Sequence, residues 1–66
     1  MFTIRQITDD MEQLFQAKSV VKVPQQGETA AHLYCTGEDG KELYFQTGTI
    51  YVMNENGKTV GKYYFV

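Results

Sequence analysis

Any nucleophilic or metal chemistry in this 66-residue chain has to begin at His32 and Cys35, its one imidazole and its one thiol. They stand three residues apart in a run that reads as a strand, and side chains at that spacing point to opposite faces. An extended backbone there excludes a direct Cys–His couple. Cys35 reads instead as a small buried hydrophobe, and His32 as a surface or edge residue. A structural metal site needs more histidine, cysteine or clustered carboxylate than the chain supplies. Asp9, Asp10 and Glu12 could do acid/base work, but acids grouped there also suit the start of a helix, where they oppose its dipole. Glu38, Asp39 and Glu55 suit turns, and lack the spaced oxygen partners of a calcium loop. The sequence therefore predicts no enzyme: no catalytic residue, no metal, no cofactor and no small-molecule substrate.

The side chains left with something to offer are aromatic. Tyr34, Tyr44, Tyr51 and Tyr63, with Met53 among them, suggest a contact surface. Tyrosine supplies large area and a polar tip at little cost in rotamer entropy, which is why it is enriched at interfaces. Aromatic rings also suit strands for packing reasons alone. A row of rings on a sheet can stack the bases of single-stranded nucleic acid as well.

What must position these residues is a pair of similar turns. Gly37-Glu38-Asp39-Gly40-Lys41 is echoed by Asn54-Glu55-Asn56-Gly57-Lys58. Read as three-residue loops with a left-handed glycine third, they pair Tyr34 with Tyr44 and Tyr51 with Gly61. A turn at Thr47-Gly48 then pairs Phe45 with Ile50 and Tyr44 with Tyr51. Because side chains alternate, Val21, Val23, Ala31, Leu33, Cys35, Leu43, Phe45, Ile50, Val52 and Val60 share one face. The tyrosines share the other with Val20, Lys22, His32, Thr36, Glu42, Gln46, Met53 and Thr59. A two-residue Asn56-Gly57 turn is the rival; it would move Tyr63 and Phe65 to the core face and release Val60 and Tyr64.

The N-terminal third reads as a helix. Ile4, Ile7, Met11, Leu14 and Phe15 fall on one helical stripe, and Thr3 with Gln6 has capping-box spacing. A rival makes 2–7 a short strand and starts the helix at Asp9. The expected fold is therefore α+β and a single domain, 1–66. An amphipathic helix at about 3–18 packs on a twisted antiparallel meander of four or five strands, near 19–23, 29–36, 41–46, 49–54 and 58–65. One helix is too narrow to cover both faces, so the tyrosine face stays open, curls toward closure, or meets a partner.

Composition narrows the partner. A 42% hydrophobic content argues against disorder. The net charge of −2, with six scattered basic residues, disfavours a dedicated nucleic-acid binder. A lone cysteine and the lack of any leader or membrane-spanning run point to a reducing, cytoplasmic setting without a membrane role. The expected function is a non-catalytic protein-interaction domain, self-associating as a homodimer or binding a larger protein, through the tyrosine face or an open sheet edge. Size class alone suggests an accessory or inhibitory protein of a phage or mobile element. The alternative is single-strand binding by stacking.

Overall fold

Phe2, Thr3, Ile4 and Ile7 give the first segment strand formers, and it is a strand. The computed structural model describes residues 1–65, and no helix occurs among them. There are six strands: β1 Phe2–Ile7, β2 Glu12–Val23, β3 His32–Gly37, β4 Glu42–Phe45, β5 Gly48–Met53 and β6 Thr59–Phe65. They form one antiparallel sheet in the order β4-β3-β2-β1-β5-β6. The fold is all-β, and the expected α+β class with a helix at 3–18 is wrong. The rival reading had the strand at 2–7 but put a helix where a hairpin and a second strand stand. Asp9-Asp10 is the tip of that hairpin, with the Thr8 N–H donating to the Met11 carbonyl at 2.9 Å and Ile7 opposite Glu12. Of the supposed helical stripe, Ile4 and Phe15 do meet, as cross-strand partners. Met11 and Leu14 are exposed. Acidic residues favour tight turns as well as helix starts, so the local signal was double-valued and the tertiary pairing decided it.

β2 is the longest strand and changes partners halfway. Residues 12–17 pair with β1 and residues 17–23 with β3, with a bulge at Lys18 between Ala17 and Ser19. Bulges bend a strand and let it pass from one packed sheet into another. The first half-sheet is thus β6-β5-β1 with the start of β2, and the second is the end of β2 with β3 and β4. The extra residue also inverts the facing of the second half. Val20, opposite Cys35, packs on the core, while Val21 and Val23 turn outward, the reverse of the expected assignment.

The link from β4 to β5 shows how far the sheet curls. Only Gln46 and Thr47 separate Phe45 from Gly48, a reach of at most roughly 11 Å. In a flat sheet β4 and β5 would be four spacings apart, on the order of 19 Å. The sheet therefore wraps on itself into an open barrel. The meander is broken here, and the expected Phe45–Ile50 and Tyr44–Tyr51 pairs do not form; Ile50 and Tyr51 lie instead between Gln6 and Arg5 of β1 and Tyr63 and Lys62 of β6. The enclosed face carries Ile4, Ala17, Leu33, Cys35, Phe45, Ile50, Val52 and Phe65, all buried. Phe15 and Phe45 meet edge-on at 5.1 Å, joining the two half-sheets across the interior.

The paired turns are alike in hydrogen bonding as well as in sequence. Gly37 N–H donates to Lys41 O at 2.7 Å and Asn54 N–H to Lys58 O at 2.9 Å, with Gly40 and Gly57 at positive φ. Tyr34 faces Tyr44 as expected. The second hairpin begins in the expected register, Met53 opposite Thr59, and then slips at Val60 so that Val52 faces Gly61 and Tyr51 faces Lys62. The facing foreseen for the rival turn results, but from a bulge: Phe65 is buried and Tyr63 packs on the core, while Val60 and Tyr64 are exposed.

Candidate interaction surface

The convex face of the second half-sheet gathers side chains from three strands. Val21, Tyr34 and Tyr44 stand opposite one another on β2, β3 and β4, and Val23 stands opposite His32 alongside. The Tyr34 and Tyr44 rings meet edge to face at 5.1 Å, a geometry that aromatic quadrupoles favour. Val21 and Tyr44 are each more than half exposed, so apolar surface beside the pair remains in water. His32 is buried, not the surface residue expected. Its Nδ1 lies 2.9 Å from the Ala30 carbonyl, which can only accept, and its ring sits 5.8 Å from that of Tyr44.

Glu42 ties the pair together. The Tyr34 hydroxyl donates to Glu42 Oε1 at 2.8 Å and the Tyr44 hydroxyl to Oε2 at 2.9 Å. Both bonds favour the carboxylate and the neutral phenols. The Tyr34 and Tyr44 hydrogen bonds hold the Glu42 pKa below its ordinary value, and the bond to Glu42 raises each tyrosine above its own. The sign comes from linkage. The Glu42 contribution to stability is present above the unfolded carboxylate pKa and fades as pH falls through the lower folded value. The tyrosine contribution is present below the unfolded phenol pKa and fades as pH rises through the folded one. A spectrophotometric titration of phenolate should show Tyr34 and Tyr44 ionising late, and Glu42→Gln should bring both back toward the ordinary phenol value. Unchanged titration in that variant would mean the bridging bonds are not made in solution.

Tyr51 is elsewhere. It pairs with Arg5, which pairs with Leu14, whereas Tyr34 pairs with Val21. Those two β2 positions are seven residues apart, roughly 20 Å or more along the strand. The Tyr51 ring lies 5.9 Å from the Arg5 guanidinium and 5.4 Å from the Lys62 ammonium, and Arg5 also pairs with Glu12. Met53 lies beside Tyr51 on the first half-sheet, opposite Thr3 and Thr59. Tyr63 lies on the enclosed side, its ring stacked on Phe65 at 6.5 Å and covering Gly61. Of the five surface residues expected, the fold thus joins Tyr34 with Tyr44 on one half-sheet, leaves Tyr51 and Met53 side by side on the other, and turns Tyr63 inward.

Val21, His32 and Glu42 complete the cluster; His32 and Glu42 are expected on the tyrosine face though not among its contact residues, and Val21 is expected on the opposite face. Glu42 had a signal, since it lies two residues from Tyr44 and must share its face. Val21 had none, because no sequence cue announced the bulge at Lys18. Cys35, as expected, is buried, and that burial pushes its thiol up to about 11. A hollow of about 410 Å³ at the end of β1 is lined by Ile7, Thr8, Asp9, Thr47, Gly48, Thr49, Tyr64 and Phe65, none of them in the tyrosine cluster. No group of three or more potential metal ligands occurs among the described residues. No family model, curated protein or solved structure matches the chain.

Proposed function

We propose that the chain is a small non-catalytic protein-interaction domain that binds itself or a larger protein through the convex face of β2, β3 and β4. The observation that carries this reading is the pair of Tyr34 and Tyr44, fixed edge to face by one shared carboxylate beside an exposed Val21. Rings held in place before contact lose little entropy on binding, and tyrosines of this kind often anchor interfaces. The separation of Tyr51 from the pair removes the continuous aromatic row that stacking on single strands would use. The charge near the pair is acidic, which also favours a protein partner over a polyanion.

Tyr44→Ser tests the reading, with Tyr51→Ser as its control. Tyr44 is exposed on an edge strand, so its loss should cost the fold only about 0.2–1 kcal/mol in cross-strand contact. We expect Tyr44→Ser to lose concentration-dependent association, or a co-purifying protein, seen by sedimentation and by mass. Tyr51→Ser should keep it. A folded Tyr44→Ser variant with unchanged assembly would overturn the proposal.

A further inference from the structure

We infer that the free edge of β4 accepts an extended strand of a partner protein, and that this strand places an arginine against Glu42 and Tyr44. The inference rests on the proposed interaction surface and supplies the chemistry of the partner. β4 is a terminal strand of the sheet. The Lys41 carbonyl accepts from Gly37, so the backbone of Lys41 faces β3. Ladder bonds alternate along an antiparallel strand, so Leu43 and Phe45 face β3 as well, while the N–H and C=O groups of Glu42 and Tyr44 point outward. Such a row of free groups is a template for one more strand. A residue added opposite Glu42 falls on the convex face, beside the tyrosine pair.

Charge selects what that residue is. Residues 37–45 hold three acids against one base, Glu38, Asp39 and Glu42 against Lys41, while the rest of the chain holds five of each. The whole net charge of −2 thus sits on this hairpin. Asp39 has Lys41 within 3.8 Å, but no ion pair among the described residues includes Glu42. Each Glu42 oxygen accepts one tyrosine hydroxyl and keeps room for a second donor. A guanidinium fits that remainder best: its flat fork reaches both oxygens, and its face can lie on the Tyr44 ring. A second copy of β4 fits poorly. Its own convex residues are Glu42 and Tyr44, so self-pairing would bring no cation to the carboxylate.

The probe is an acetylated, amidated heptapeptide of alternating threonine and valine with arginine in the centre, titrated into the isotope-labelled chain. A central-glutamate peptide is the control. We expect amide shifts concentrated at Glu42 and Tyr44, weaker binding as salt rises, and about tenfold or greater loss with the glutamate peptide. Glu42→Gln should lose a similar factor, whereas Glu38→Gln, with the same change of charge on the adjoining turn, should bind within about twofold of the parent. Equal binding of both peptides, equal losses in the two variants, or shifts confined to the β6 edge would overturn the inference. So would a doubling of mass with concentration that Glu42→Gln abolishes, since the occupant would then be a second copy. If the peptide result fails while Tyr44→Ser still loses its partner, the interaction surface stands and only the arginine strand falls.

Discussion

Gly48→Ala should not yield a folded protein at ordinary temperature, while Gly57→Ala should fold with a modest loss. Both glycines have positive φ, +87° and +80°, a conformation costing an L-residue about 1–2 kcal/mol. The difference lies in what a methyl group would meet. At Gly57 nothing stands within 4 Å. At Gly48 the added carbon would collide with the Ile7 carbonyl oxygen and sit 2.9 Å from Thr8 Cγ2. The oxygen belongs to the end of β1, which is held on both sides by β2 and β5, so it cannot retreat without breaking a central pairing. Gly48 opens β5 just after the chain has crossed from the far edge strand, and the same backbone must both turn and pair. A chain of this length has total stability of only roughly 3–10 kcal/mol, so strain and clash together reach its whole margin. Circular dichroism and urea unfolding of the two variants provide the check. Equal midpoints would show that the turn relaxes freely and that the close approach is not a constraint.

Phe45→Ala should leave a collapsed but poorly ordered chain. Phe45 is buried on the last strand of the second half-sheet and meets Phe15 of the first, so its ring fills the space between the two. Truncating a buried phenylalanine costs about 3–5 kcal/mol, because the lost transfer free energy is joined by a cavity that the surroundings refill only in part. Against so small a stability margin, the half-sheets would lose their fixed packing before losing their hairpins. The expected signature is retained far-ultraviolet signal, lost near-ultraviolet signal and binding of a hydrophobic dye. Phe45→Leu, which keeps most of the volume, should remain cooperative with a lowered midpoint. A cooperative Phe45→Ala variant near the parent midpoint would place the core elsewhere than at this contact.

Each of these effects depends on a feature whose sequence signal was weak. Gly48 reads in the sequence as part of a hairpin turn like the others, since a glycine announces freedom of φ and not the carbonyl oxygen packed against it. Phe45 reads as an inward residue, which it is, but its partner Phe15 reads as helical. The helical reading rests on the stripe from Ile4 to Phe15 and the capping spacing of Thr3 and Gln6, and Asp9-Asp10 do not oppose it, because short acidic side chains serve a tight turn and a helix start equally well. The stripe misleads because Ile4 and Phe15 fit a helical period and also meet as cross-strand partners. The candidate site divides in the same way. Tyr34 facing Tyr44 follows from the local turn, and Glu42 on their face follows from alternation alone. The separation of Tyr51 could not, because it depends on β1 lying between β2 and β5.

The amino-acid sequence by itself determined the two glycine turns, the Tyr34–Tyr44 register and the inward course of Leu33, Cys35, Phe45, Ile50 and Val52. Those features are set within a few residues by φ preference and by the twofold alternation of a strand. Tertiary structure alone decided that the first eighteen residues are strand and hairpin, that Lys18 and Val60 are bulges, and that the sheet curls so that β5 leaves β4 for β1. The physical reason is that a strand has no internal hydrogen bonds. Its backbone is satisfied only by a neighbour, and which neighbour is available depends on closing a shared apolar face over the whole chain. That closure turned one supposed row of tyrosines into a fixed pair on the convex side, a cation-flanked ring at Tyr51 and a packed ring at Tyr63.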